Sequence, residues 1–227
     1  MSLLAILALG FFLGMRHATD ADHVMAVTTI VSRERSARSA LWVGALWGVG
    51  HTATILVVGG MIVVFGLVIP PRVGLSMEFS VAVMLVVLGA MNLTGAMQRI
   101  DEAAHGAKHH PVDDKARGLR LRPLIVGVVH GLAGSAAVAL LVLTTIRDAA
   151  WALCYLAIFG GGTVLGMMLL TSAMAVPVAA ASHRFGSFER VLSRATGLAS
   201  IAFGLFLAYQ IGFVDGLFSG EPQWSPK

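Results

Sequence analysis

The chain has 227 residues, of which 57% are hydrophobic and 12% charged, and its mean hydropathy is +0.83. Soluble domains carry about 25% charged residues, so the composition excludes an ordinary soluble domain and indicates an integral membrane protein. The single cysteine, Cys154, excludes a disulfide framework or a two-cysteine redox couple, and the net charge of +4 does not indicate nucleic-acid binding, because most Lys and Arg fall in loops on one face of the predicted membrane domain.

Charge-free runs mark the spans. The first, Leu3–Val31, has no Lys or Arg before it and is expected to be a retained helix rather than a signal peptide. Its middle reads Arg16-His17-Ala18-Thr19-Asp20-Ala21-Asp22-His23, five ionisable groups in eight positions. Each costs roughly 2.5–3.5 kcal/mol at bilayer depth on insertion scales, so the cluster needs a compensating partner. Imidazole with carboxylate suits a divalent transition metal (Ni, Co, Zn or Cu) better than Mg or Ca. On a continuous helix at about 100° per residue, Arg16, His17, Asp20 and His23 share one face, and Asp22 lies on the other side. His17, Asp20 and His23 then converge without distortion. Asp22 joins them only if the helix unwinds near Ala21, a device of transporter sites. Arg16 either pairs with one of the carboxylates and releases it to the metal, or snorkels. The bland alternative is an ion-pair knot of Arg16 with Asp20 and Asp22 with a histidine, which leaves surplus ligands for one Arg.

The second span, Ser39–Pro71, carries His51 after Gly48-Val49-Gly50, followed by Thr52. The third is Phe79–Gln98. A polar stretch, Arg99–Arg122, contains His105, His109 and His110 and reads as a linker rather than a metal-handling segment. The fourth span, Pro123–Ile146, carries His130 and Ser135; the fifth is Ala149–His183 and the sixth Ala195–Val214. The second and fifth runs exceed the roughly 20 residues a helix needs to cross. They are tilted, broken or extended, with Gly59-Gly60 and Gly160-Gly161-Gly162 as the weak points. His51 and His130 join the candidate ligands, and Thr52 and Ser135 are candidates to orient the imidazoles. The expected organisation is one all-α transmembrane domain of six helices over 1–216, divided into 1–98, a cytoplasmic loop 99–122, and 123–216. A disordered extracytoplasmic tail, 217–227, follows.

Basic residues set the orientation. The first, third and fifth connections hold twelve, including Arg33, Arg99 and Arg184; the opposite side has only Arg72, Arg147 and Lys227. The bias puts those connections in the cytoplasm and both termini outside. The halves echo each other: Gly14-Met15-Arg16-His17 matches Gly127-Val128-Val129-His130, and Trp47-Gly48-Val49-Gly50 matches Phe159-Gly160-Gly161-Gly162. With three spans per half, this predicts a 3+3 inverted repeat, common among secondary transporters.

The motif Arg16-His17-Ala18-Thr19-Asp20-Ala21-Asp22-His23 resembles the signature of the nickel/cobalt transporter family, a His, four residues, then Asp-His in an early membrane helix. Gly50-His51-Thr52 resembles that family's second motif. The resemblance is close over residues 14 to 53 and loose elsewhere. Larger members have eight spans, so this chain is more similar to the short branch labelled urease-accessory permeases. The resemblance implies Ni²⁺ or Co²⁺ transport across a prokaryotic cytoplasmic membrane, with His17, Asp22 and His23 recognising the metal and His51 supporting them. The expected partners are the lipid bilayer and the metal ion as substrate, with no permanent cofactor; a homo-oligomer is left open. Uptake is the leading direction, with efflux and a non-transporting metal-binding accessory protein as alternatives. No phosphate-binding GxxxxGK[ST] loop or His-Glu-x-x-His motif occurs in the sequence, which argues against ATP hydrolysis and an intramembrane zinc hydrolase.

Overall fold

The computed structural model describes residues 3–32, 36–67, 69–96, 122–133, 146, 148–184 and 188–224. Apart from turns, these residues are helical. Helix α1 (Leu3–His17) and helix α2 (Ala21–Val31) meet at a 53° bend. Asp20 between them is extended, with φ −63° and ψ 151°. The break keeps its backbone satisfied: Thr19 N–H donates to the Arg16 carbonyl at 2.8 Å, Asp20 N–H to His17 at 3.1 Å, and Val24 N–H to Asp20 at 2.9 Å. The first span therefore unwinds at Ala18–Asp20, just before the position the sequence indicated.

Helix α3 (Ala37–Thr54) runs through a π-type turn at Ile55–Gly59 into α4 (Gly60–Phe65). The irregularity falls at the predicted weak point, and α4 ends at Gly66 in the left-handed region, φ 62°. Helix α5 (Pro71–Thr94) starts eight residues before the predicted Phe79. Pro71 sits in its first turn, where a missing N–H costs nothing. Glu78, the charge that shortened the predicted span, accepts a 2.9 Å hydrogen bond from the Trp224 indole. Helix α6 (Arg122–Ala133) begins the fourth predicted span; the continuation to Ile146 lies outside the described residues apart from Ile146 itself.

Helix α7 (Ala149–Arg184) starts where Asp148 Oδ1 accepts the Trp151 N–H at 3.0 Å, an N-cap that satisfies one of the orphan donors there. It continues unbroken through Gly160–Gly162, so the expected weak point there is not one. Those glycines serve close packing instead: a Cβ at Gly160 would strike the Thr52 side chain and one at Gly162 the Phe11 carbonyl. At 36 residues, or about 54 Å, α7 is longer than the hydrocarbon core, so it extends past it or tilts. Helix α8 (Phe188–Tyr209) ends in a second π-type turn, Gln210–Val214.

Among the described residues four helices are long and apolar enough to cross a membrane, five spans with the bent pair counted as one. Their outer faces present Leu4, Phe12, Phe65, Val191 and Phe206, the apolar surface a bilayer requires. The protein is thus an all-helical, multi-pass membrane protein. Both α1 and α3 pack along α7, and α5 pairs antiparallel with α8. Ser200 donates to the Leu85 carbonyl at 2.8 Å. Asn92 accepts from Ser193 Oγ at 2.6 Å and donates to the Ser193 carbonyl at 3.0 Å and, on α2, the Thr29 carbonyl at 3.3 Å.

The tail is ordered through Trp224, contrary to the expected disorder. Phe218 N–H donates to Gly212 at 3.0 Å and Gln223 N–H to Asp215 at 2.9 Å. The Phe218 ring packs edge-on to Phe79, and the Trp224 ring lies over Gly74, where any side chain would collide with it.

Glycines also set how the helices near the break approach each other. A Cβ on Gly14 would collide with the Phe159 carbonyl, and one on Gly127 with the Trp47 carbonyl. Gly162 meets the Phe11 carbonyl, and Gly50 the Leu124 carbonyl. Backbone-to-backbone approach of this kind is what small residues permit in membrane helices.

Candidate metal centre

The break between α1 and α2 redirects the chain so that His17 closes one helix while Asp22 and His23 open the next. His51 reaches the same place from the end of α3, and His130 from α6. His23, His51 and His130 are each about 1% exposed or less. Two groups of donors result, each with its ligand atoms within 4.8 Å of one another: His17, His23 and His51; and Asp22, His23 and His130. His23 belongs to both.

Two of the three closest donor distances suit a shared ion, and the third is a hydrogen bond. His17 Nε2 and His51 Nε2 are 3.2 Å apart. Asp22 Oδ2 lies 2.8 Å from His130 Nε2, and Asp22 Oδ1 lies 3.3 Å from His23 Nδ1. Two donors each about 2.0–2.1 Å from one metal ion are roughly 3.0–3.4 Å apart. Three buried ring nitrogens, His23 Nε2, His51 Nδ1 and His130 Nδ1, have no hydrogen-bond partner among the described residues. An unpaired buried polar atom is costly, and each of these three belongs to a ring of the two donor groups.

Asp20 stands apart from both groups. Its Oδ2 lies 2.8 Å from His17 Nδ1, and its side chain is 51% exposed. A carboxylate accepts only, so His17 donates to Asp20 through Nδ1 and turns Nε2 toward His51. Asp20 thus orients His17, as outer carboxylates do for metal-binding imidazoles. Continuous-helix geometry joined Asp20 to His17 and His23 and left out Asp22; the break at Ala18–Asp20 reverses that.

Arg16 is exposed, and both carboxylates are engaged with histidines; the Arg16-centred knot does not form among the described residues. Among the described residues Thr52 makes no hydrogen bond to an imidazole. It donates to the Gly160 carbonyl at 3.0 Å and joins α3 to α7. Ser135 and the histidines of the 99–122 segment lie outside the described residues. Two aromatic side chains that were not singled out flank the site. Trp47 stacks on His23 (centroids 5.9 Å, 14°) and packs against His130 at 5.6 Å; Phe159 packs against His17, also at 5.6 Å. Their matched places in the two halves were the signal in the sequence that could have found them.

Comparison with known proteins agrees with this chemistry. Residues 3–116 match the family model NicO, described as a high-affinity nickel-transport protein. The matched stretch contains His17, Asp20, Asp22, His23 and His51 and stops short of His130. The chain is 36% identical over 220 residues to the urease accessory protein UreH of Bacillus sp. (strain TB-90), covering 95% of this chain and 96% of that one. It is 25% identical over 204 residues to the chloroplast protein FOR GROWTH AND FERTILITY 2 of Arabidopsis thaliana, covering 86% of this chain and 54% of the plant protein. No solved structure matches.

Proposed function

The chain belongs to the NicO nickel-transport family, and from that premise we propose that it is a secondary permease taking up Ni²⁺ or Co²⁺ through the His/Asp cluster at the broken first span. The observation that carries the ligand set is that five donors from α1, α2, α3 and α6 form two adjoining groups that share His23, with an unpartnered buried nitrogen on His23, His51 and His130. His17, Asp22, His23, His51 and His130 bind the ion; Asp20 positions His17. The metal is the substrate, and no resident cofactor or catalytic step is invoked.

The architecture we propose is six spans in a 3+3 inverted repeat, 1–98 and 123–216, joined by the 99–122 loop. The paired glycine contacts support it. In the register that matches Gly14 to Gly127 and Trp47 to Phe159, the Gly14–Phe159 contact corresponds to Gly127–Trp47, and Gly162–Phe11 to Gly50–Leu124. The packing of Phe159 on His17 likewise corresponds to that of Trp47 on His130. The excess of basic residues in the odd-numbered connections supports a cytoplasmic-membrane orientation with both termini outside. Alternating access then follows from rocking one half against the other about a midplane site, the usual behaviour of this architecture.

The experiment is ⁶³Ni accumulation in cells expressing the wild type or His17→Ala. Accumulation by the wild type and its loss in the variant is the expected outcome. Equal accumulation by both overturns the ligand assignment, and lowered metal content on wild-type expression overturns uptake in favour of export.

A further inference from the structure

Resting on the permease reading, we propose that the centre is two overlapping stations that share His23, between which the ion passes by ligand exchange. The two donor groups differ in origin and in charge. His17, His23 and His51 all come from the first half of the chain and are imidazoles. Asp22, His23 and His130 include a carboxylate and a histidine from beyond the 97–121 segment. A motion of one half against the other therefore leaves the first station whole and opens or closes the second by moving His130.

The shared ring explains how the ion crosses without being released. His23 is fully buried, and its centroid lies 4.7 Å from that of His17, 5.1 Å from His51 and 4.1 Å from His130. An ion passing from His17 and His51 to Asp22 and His130 stays within reach of the His23 ring throughout, so it is not bare in a low-dielectric site, where desolvation is most costly. Two divalent ions on either side of one ring would repel strongly, so one ion occupies the pair. The exchange also adds a negative ligand. The imidazole station leaves the full divalent charge on the complex, and the Asp22 station lowers it by one. His130 Nε2 lies 2.8 Å from Asp22 Oδ2, so the two donors that complete the second station stand side by side.

The test uses the purified full-length protein with ⁶³Ni and with Co²⁺, whose d–d spectrum reports ligand type. His51→Gln and His130→Gln keep side-chain bulk while removing one imidazole from one station each; His23→Gln removes the ligand common to both. Each protein is taken forward only as a monodisperse peak on size exclusion. Two stations predict that His51→Gln and His130→Gln each still bind one ion per chain, weakened by about tenfold or more. Their Co²⁺ spectra should differ from one another, both should fail to transport in proteoliposomes, and His23→Gln should lose binding altogether. A single composite site predicts that all three variants lose binding alike, and that result overturns the proposal. So does a wild-type transport rate in His130→Gln, or identical Co²⁺ spectra for the His51 and His130 variants. Wild-type transport reports on the permease reading alone, and the binding and spectral series reports on the stations whether or not transport is observed.

Discussion

Asp20 and Asp22 are two positions apart, and the structure gives them different tasks that mutation can separate. Among the described residues the Asp20 side chain contacts His17, at 2.8 Å, and it is half exposed. Losing an outer carboxylate that orients a metal-binding imidazole costs about 10–100-fold in affinity. Water reaches Asp20 and can replace part of its role, so Asp20→Ala should sit near the lower end, about tenfold or about 1.4 kcal/mol. Asp20→Asn keeps a neutral acceptor for His17 Nδ1–H, and charge-assisted bonds are roughly twice as strong as neutral ones. Its loss should be smaller, about threefold. Asp22→Ala removes the contact to both His130 and His23 and should cost about a hundredfold or more. Folding does not confound the series at Asp20: it occupies the N-cap of α2, yet its side chain makes no capping hydrogen bond. Equilibrium ⁶³Ni binding to purified protein measures the order, with thermal unfolding in detergent as the control. If Asp20→Ala abolishes binding while Asp22→Ala leaves it nearly intact, the carboxylates have been assigned the wrong way round.

Four other outcomes follow from the geometry. Gly14→Ala and Gly127→Ala should each destabilise the protein by about 1–3 kcal/mol through overpacking, whereas Gly161→Ala, with nothing within 4 Å of its Cβ, should be neutral; equal melting temperatures for all three would contradict the glycine seams. Asn92→Ala removes the bonds that join α5 to the Ser193 hydroxyl and to the Ser193 and Thr29 carbonyls and should lower stability by about 1–3 kcal/mol, read by thermal unfolding, with Ni²⁺ affinity nearly unchanged. Metal binding requires neutral imidazole and so releases protons; ⁶³Ni affinity should fall as pH drops through the histidine range and recover when it rises, and a pH-independent affinity would exclude histidine ligation. Trp224→Ala removes the bond to Glu78 and the ring over Gly74, and should speed proteolysis of the 217–224 segment without altering metal binding.

Much of the site was legible because its chemistry is concentrated. Histidines and aspartates inside apolar spans are few, and His17, Asp22, His23, His51 and His130 stand out on composition alone. The break was legible as a condition: Asp22 could not join His17 on a straight helix. What the sequence left open was which carboxylate does what. That depends on whether the chain unwinds: a straight helix groups Asp20 with His17 and His23, and the break at Ala18–Asp20 brings Asp22 to His23 and His130 instead. Thr52 was misread because a hydroxyl beside a histidine resembles an orienting group, whereas its partner, the Gly160 carbonyl, comes from a helix 108 residues away. The start of α5 was misplaced for a similar reason. Glu78 looked like the end of an apolar run until Trp224, from the far end of the chain, satisfied it.

The pairing of α5 with α8 is fastened at both extremities, by Asn92 with Ser193 at one and by the Trp224 fold-back at the other. Because α5 belongs to the first half and α8 to the second, rocking of one half against the other must turn about this fastened pair rather than slide it. Through the Asn92–Thr29 bond the latch also grips α2, the short helix that carries Asp22 and His23, so the shared ligand is tied to the pivot. Backbone amides of α5 and α8 should be the last to exchange with solvent deuterium, and those flanking Ala18–Asp20 among the first.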